Sequence, residues 1–304
     1  MSPAKGESPA RGRLRIERRL TETPLARQHE HALRSSGPRS RRALPWKSFV
    51  RSKYPEGALR TAAASQRALA LGEYGAVDLF SHLTIDLSLH GAPLDLIAAC
   101  ARAPADELRH ADYAMRAAEL FSGEPVSAEL DREGLGKVLA KRLSLEELDV
   151  MMLEVGLVSE TLAAALLSAC GRSASDPFAK AFFASLVADE VHHARLGWYY
   201  MAWRAPTWSR AEKQRVSDRA GAMLVEMERR YWIGRDAPKG CEDAAKALGV
   251  LGSLAQREVV RAVAEEEIVP GLDALGLGAS HAWRVRRRGG AEARRPDAVP
   301  SDPS

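Results

Sequence analysis

Seven residues occur twice in the chain. Residues 105–111 read Ala-Asp-Glu-Leu-Arg-His-Ala, and residues 188–194 read Ala-Asp-Glu-Val-His-His-Ala. Each copy contains a Glu-x-x-His: Glu107 with His110, and Glu190 with His193. Residues three apart share one face of an α-helix, so each copy aims a carboxylate and an imidazole at one spot. That pairing of oxygen and nitrogen donors is metal-ligand chemistry, and two copies carry donors for two ions. The shifted pair Asp189 and His192 has the same spacing. Only Glu190 and His193 match the first copy residue for residue and lie on an apolar stripe.

Helices must position these residues. From about Glu56 the apolar residues recur with helical period and strand signals are nearly absent, so the predicted fold class is all-α. A first helix runs to about His90 and stops at Gly91 and Pro93. At about 100° per residue, Leu69, Ala76, Val77, Phe80 and Leu87 lie within about 60° of Glu73. Glu73 is thus a lone acid on an apolar stripe, where it is costly unless paired or bound to a metal. A second helix, about Pro93–Phe121, carries Glu107 and His110 on one face with Leu96, Cys100, Ala111, Ala114 and Ala118, and Pro104 is expected to kink or divide it. Residues 123–142 read as a long connection. Ser144 and Glu147 form a capping box that opens a third helix, ending near Cys170 and Gly171. Glu160 shares its face with Leu153, Gly156, Ala163, Ala164 and Leu167, whereas Glu154 points about 120° away. Asp176 caps and Pro177 starts a fourth helix that reaches about Trp203. Amphipathic stretches at 209–233 and 242–268 follow.

Heights along the helices give an independent test. Helices joined by short turns run antiparallel. Glu73 lies 18 residues before the turn near 91 and Glu107 lies 16 after it; Glu160 and Glu190 each lie 15 from the turn near 175. At about 1.5 Å per residue the mismatch is about 3 Å in the first pair and near zero in the second, while Glu154 falls about 9 Å away. Four glutamates and two histidines therefore meet at one level. Four carboxylates in a dry core repel one another unless cations join them. The mixed oxygen and nitrogen set suits iron or manganese better than zinc.

The order Glu73, Glu107-x-x-His110, Glu160, Glu190-x-x-His193 resembles that of the ferritin-like di-iron carboxylate proteins over about residues 54–205. The resemblance implies a ferritin-like four-helix bundle with additional C-terminal helices. It implies two iron ions, or manganese with iron. Glu73, Glu107 and His110 would serve one and Glu160, Glu190 and His193 the other, with two glutamates bridging. No further histidine stands one turn before Glu190, where the chain has Leu186. The implied activity is that of a dinuclear-iron oxidoreductase or oxygenase, activating O₂ or peroxide to oxidise a small-molecule substrate. Iron oxidation and handling is one alternative, and a metal-free binding scaffold is another. The electron donor is expected to be a separate protein, since no dinucleotide fingerprint or Cys-rich cluster accompanies the site. Tyr113, three residues past His110, is a candidate hydrogen-bond or radical partner, or else a packing aromatic; Tyr74 also neighbours a ligand. Asp106 and Asp189 are either partners that orient the histidines or solvated helix charges.

The rest of the composition sets the frame. The chain has 304 residues, 46% hydrophobic and 28% charged, which is globular material with enough for a sizeable core. Its charge is unevenly spread: residues 1–53 hold 14 Lys/Arg against 4 Asp/Glu, 284–304 hold 6 against 3, and 54–283 hold 24 against 33. An acidic body thus carries basic ends, so the basic balance says little about the body's partner. The expected layout is a mostly disordered N-terminal segment (1–53), the bundle (54–205), C-terminal helices packed on it (206–283) and a disordered basic tail (284–304). Contact of the basic ends with nucleic acid is the other reading of their charge. His29 and His31 flank Glu30 on that leader without a rigid frame to hold an ion. The long tails argue against a closed storage shell, and a monomer or homodimer is expected. Cys100, Cys170 and Cys241 show neither zinc spacing nor a disulfide framework, which fits a reducing cytoplasm. Arg18-Arg19 is followed by no apolar export segment, and no apolar run long enough for a membrane helix is expected.

Overall fold

The computed structural model describes residues 14–16, 44–130, 141–230 and 235–292. It is all-α apart from one short ribbon, in which β1 (Leu14–Ile16) pairs antiparallel with β2 (Ala128–Leu130). Four long helices supply the site: α1 (Glu56–Leu89), α2 (Leu94–Ser122), α3 (Leu145–Ser173) and α4 (Pro177–Arg204).

Each helix ends where its sequence dictates. At the end of α1, Gly91 takes φ +67°. Ala92 N–H donates to Leu87 O and Gly91 N–H to Ser88 O, the Schellman pattern that turns the chain into α2. Gly123, at φ +77°, ends α2 in the same left-handed conformation. The capping box of α3 is present in full: Ser144 N–H donates to Glu147 Oε2 at 2.9 Å and Glu147 N–H to Ser144 Oγ at 3.2 Å. Asp176 accepts from the N–H groups of Phe178 and Ala179 at the start of α4. Tyr54 ties that cap to the start of α1 by donating to Asp176 Oδ2 at 2.7 Å.

The two hairpins α1–α2 and α3–α4 pack on each other around a core that changes character along its length. One end is aliphatic, with Leu83, Leu87, Leu148, Met152 and Leu157 fully buried. The other is aromatic, with Phe121 and Phe182 both packed on Phe178. Between α3 and α4 the backbones touch: a Cβ on Gly197 would lie 2.1 Å from the carbonyl oxygen of Gly156. Below that contact, Asp149 of α3 is buried and fully answered. It accepts from Tyr200 at 2.6 Å, from two nitrogens of Arg204 at 2.8 Å, and from Trp208 at 2.8 Å.

The structure departs from the sequence reading at several places. Pro104 does not divide α2, which runs continuously through it on a seam of buried small residues: Cys100, Ala103, Ala111, Ala114 and Ala117. Residues 152–159 of α3 are π-helical, a local widening that periodicity does not reveal. The N-terminal segment is not wholly without structure: Leu14–Ile16 form β1, and Leu44 and Phe49 are buried, Phe49 against Phe121 and Phe178. The C-terminal region comprises α5 (Arg210–Arg230), α6 (Glu242–Ala247), α7 (Ser253–Val263), a π turn at Ala264–Ile268, α8 (Val269–Ala274) and α9 (Ala279–Glu292). The stretch predicted as one helix at 242–268 breaks after α6 because Gly249 takes φ +81°, and a Cβ there would lie 2.2 Å from Phe183. The tail predicted as disordered from 284 begins as α9, anchored by buried Trp283, whose Nε1 donates to Glu265. The other expectations for the termini, and for much of 123–142, lie outside the described residues. Contrary to the expectation of no such segment, α3 is long and apolar enough to cross a membrane by length and composition. Its most apolar 18-residue window has mean hydropathy 1.8 and is 50% buried against the other helices.

The Gly156–Gly197 contact predicts a selective cost. Gly197→Ala should destabilise the protein by about 1–3 kcal/mol, because backbone must move to admit the methyl. At exposed Gly72, where an added Cβ meets nothing within 4 Å, alanine should instead stabilise α1 by about 0.5–1 kcal/mol. Thermal melts of the two variants check the opposite signs.

Candidate metal centre

Glu73 on α1, Glu107 and His110 on α2, Glu160 on α3, and Glu190 and His193 on α4 come together at one level in the interior. Their side-chain donors fall into two sets of four. One comprises Glu73, Glu107, His110 and Glu190, and the other Glu107, Glu160, Glu190 and His193; within each set the donor atoms lie within 4.8 Å of one another. Glu107 and Glu190 belong to both. All six residues are buried.

The two copies of the repeat lock into each other. His110 Nδ1 lies 2.9 Å from Glu190 Oε1, and His193 Nδ1 lies 2.9 Å from Glu107 Oε1, so each copy's imidazole faces the other copy's carboxylate. Glu73 approaches His110 Nδ1 at 3.7 Å and Glu160 approaches His193 Nδ1 at 3.8 Å. These contacts are short but lack in-line hydrogen-bond geometry. The Nδ1 atoms of both histidines, Glu107 Oε2 and Glu190 Oε1 are fully buried without a hydrogen-bond partner. Desolvated donors and acceptors left in this way are costly, and a cation at their common focus would satisfy them together. The residues present therefore fit a pair of divalent ions.

The opposite edges of the imidazoles face the aspartates, His110 Nε2 within hydrogen-bond distance and His193 Nε2 beyond it. His110 Nε2 lies 3.2 Å from Asp189, and His193 Nε2 lies 3.6 Å from Asp106, again crosswise between copies. Arg109 joins the aspartates, reaching Asp106 Oδ1 at 2.5 Å and Asp189 Oδ2 at 2.6 Å. Such backing fixes which ring nitrogen faces the site and how the ring is turned. Arg109 escaped the sequence reading. Its signal was the one polar mismatch between the copies, Arg109 against His192.

Glu154 turns away from the centre and pairs with Arg219 of α5. The Tyr113 ring stands edge-on to Trp46, with centroids 5.9 Å apart, among the residues of the aromatic cluster. Leu186 is a fully buried core residue. Cys100, reckoned a small buried hydrophobe, is that: its thiol donates to Phe80 O at 3.5 Å, and burial pushes its pKa up to about 11. Phe80 in turn lies against the His193 ring at 5.6 Å, so these two residues wall the site.

The electrostatics show how the site stands without cations. Burial, then the charge of Glu107, pushes the Glu73 carboxyl well above the usual range; burial, then Glu190, does the same to Glu160. Burial works the same way on Glu107 and Glu190, but the Glu73 carboxyl and both imidazoles beside Glu107, and the two imidazoles alone beside Glu190, outweigh it and hold both below the usual range. Burial opposes protonation of His110 and His193, yet the surrounding carboxylates win and raise both well above the ordinary value. The shifts thus favour protons on Glu73, Glu160, His110 and His193 over Glu107 and Glu190.

No family model, no curated protein and no solved structure matches the chain. The site is accordingly read from its own residues.

Two predictions follow from this geometry. Glu107→Ala removes a donor common to both sets and should abolish binding of both ions, whereas Glu73→Gln touches one set and should leave one; metal analysis of the purified variants distinguishes the two. Protons and metal also compete for the same atoms. Loading two ions should release protons, and affinity should climb as pH rises through the raised histidine pKa values. Indicator titration in weak buffer counts the protons. Loading without proton release would contradict the assignment.

Proposed function

We propose that the chain is a ferritin-like di-iron carboxylate protein, with α1–α4 as its four-helix bundle, and that its centre activates O₂ or peroxide to oxidise a small-molecule substrate. The observation that supports this most is the sharing of Glu107 and Glu190 between two donor sets that each add one glutamate and one histidine. Glu73 and His110 would complete the shell of one ion, and Glu160 and His193 that of the other. Two iron ions, or manganese and iron, would supply the electrons for reducing O₂ or peroxide.

The chain's own residues prepare the site for that chemistry. Asp189 and Asp106 hold the histidines in place from behind, and Arg109 keeps those aspartates from repelling each other. Phe80 and Cys100 exclude water on one side. Glu73 and Glu160 are the most accessible of the six, at 10% and 9%, where Glu107 and His110 retain 1%. A substrate approaches over those two glutamates. With pKa values raised by burial, each can hold a proton beside the reacting centre.

Electrons come from a separate protein under this reading. Reconstitution with ferrous iron should give about two iron ions per chain and rapid O₂ consumption on exposure to air, both lost in Glu107→Ala. A chain that binds no metal would overturn the proposal. A large cage on size-exclusion chromatography, in place of a monomer or dimer, would turn it towards iron storage.

A further inference from the structure

A second site lies at the base of α3, away from the carboxylates. A groove of about 400 Å³ opens between the first turns of α3 and α5. That volume is within the usual span for small-molecule sites, roughly 300–1,000 Å³. Its wall is apolar, made by Leu143, Val150, Met151 and Val216. Asp149 at its floor is spoken for by Tyr200, Arg204 and Trp208. From Asp149 to Glu160 is eleven residues along α3, or roughly 16 Å, so an occupant would not touch the metal ligands.

The groove is built rather than left over. Its outer wall is the strap 141–144 that leads into α3, and α1 pins that strap at two points. Arg142 donates to His82 Nδ1 at 2.9 Å and pairs with buried Asp86 at 3.4 Å. His82 Nε2 faces Asp86 Oδ2 at 2.9 Å, and His90 Nε2 donates to Leu143 O at 2.7 Å. Burying His82 and Asp86 is expensive, and what the pair secures is the position of this wall.

The rim carries charge with a definite sign. Glu146, Glu147 and Glu212 border the groove, against Lys141 and Arg215. Both cations are engaged, Arg215 with Glu146 and Lys141 with Glu147 at 2.5 Å. The Glu212 carboxylate caps α5 by accepting from Ser209 N–H at 2.7 Å; Arg204 and Arg215 act on it from a distance, without an ion pair among those described. An apolar wall under an acidic rim rejects anions and favours an apolar body with one positive charge. We infer that the groove binds a small apolar monoammonium compound, its body on Val150, Met151 and Val216 and its ammonium at Glu212. This site stands independently of the dinuclear reading.

Calorimetric titration of the full chain with three probes of one shape tests the inference: naphthylmethylamine, a cation at neutral pH, naphthylmethanol, and naphthylacetate. The amine should bind once per chain and about tenfold more tightly than the anion, with the alcohol between them. Val150→Trp fills the groove and should cost all probes at least about tenfold while helix content and metal content stay unchanged. Glu212→Gln keeps an acceptor for the cap; it should narrow the gap between amine and alcohol and leave the alcohol's affinity unaltered. Absence of saturable amine binding would overturn the inference. So would equal affinity for the three probes, or a Val150→Trp chain that binds as before. Metal content, measured on the same samples, separates such a failure from failure of the dinuclear proposal.

Discussion

Like charges brought together in a dry interior are the constraint on which this structure turns. Two carboxylates about 4 Å apart repel by about 4 kcal/mol at the effective dielectric of a protein, and each donor set here contains three. The fold makes no attempt to separate them. It supplies two imidazoles at the focus, withholds hydrogen-bond partners from the inward atoms, and surrounds the group with aliphatic and aromatic side chains. Only protons or cations can then neutralise the cluster. The groups whose pKa values the cluster raises are also donors of the two sets, so protons and cations would compete for the same atoms.

Holding the ligands level requires that α3 and α4 keep a fixed register, and several features act on that one contact. Asp149 clamps the base of α3 to α4 through Tyr200 and Arg204. Gly156 and Gly197 let the backbones touch one turn before Glu160. The π-helical residues 152–159 lie between Asp149 and Glu160 and include Gly156. A π turn takes up more residues per revolution than an α turn, so it can absorb a mismatch between the spacing that Asp149 demands and the one that Glu160 demands. The Glu154–Arg219 and Glu146–Arg215 pairs attach α5 to α3 on either side of the widening's start. The C-terminal helices thus bear on the register of Glu160, although they contribute no ligand.

Much of the donor set could be read from the sequence, because it depends on helical periodicity and short turns. Glu73 and Glu160 stood out as acids on apolar stripes, and counting from the turns placed them level with the repeats. Glu154 was separated from Glu160 by angle and height, and the structure pairs it with Arg219 instead. What escaped depends on contacts between helices. No periodicity shows that Asp106 of one copy faces the histidine of the other, or that Arg109 reaches an aspartate 80 residues away as well as the one on its own turn. The π segment was hidden because its residues are an ordinary apolar run. The break at Gly249 was hidden because the glycine is needed for the Phe183 ring packed on it, a tertiary reason. Short structured pieces at the ends, such as Phe49 and Trp283, were masked by the basic composition around them.

The two copies of the repeat are near-equivalent in sequence, yet the site they form is not symmetric. His110 and Asp189 are almost completely shielded, whereas Asp106, which backs His193, keeps 20% accessibility. Arg109 comes from one copy only, and His192 at the matching place is exposed. Arg109 pairs with both supporting aspartates, Asp189 at 2.6 Å and Asp106 at 2.5 Å, so the two sides differ in burial, the His110 side being the more shielded. The His193 side adjoins the π segment and the more accessible aspartate. Donors of the same types in the two sets therefore sit in different surroundings, one set well shielded and the other beside the more accessible aspartate. The two copies differ at two positions, Leu108 against Val191 and Arg109 against His192, and only the second changes what the side chain can pair with, so a repeat that is nearly exact in sequence still builds two unequal halves.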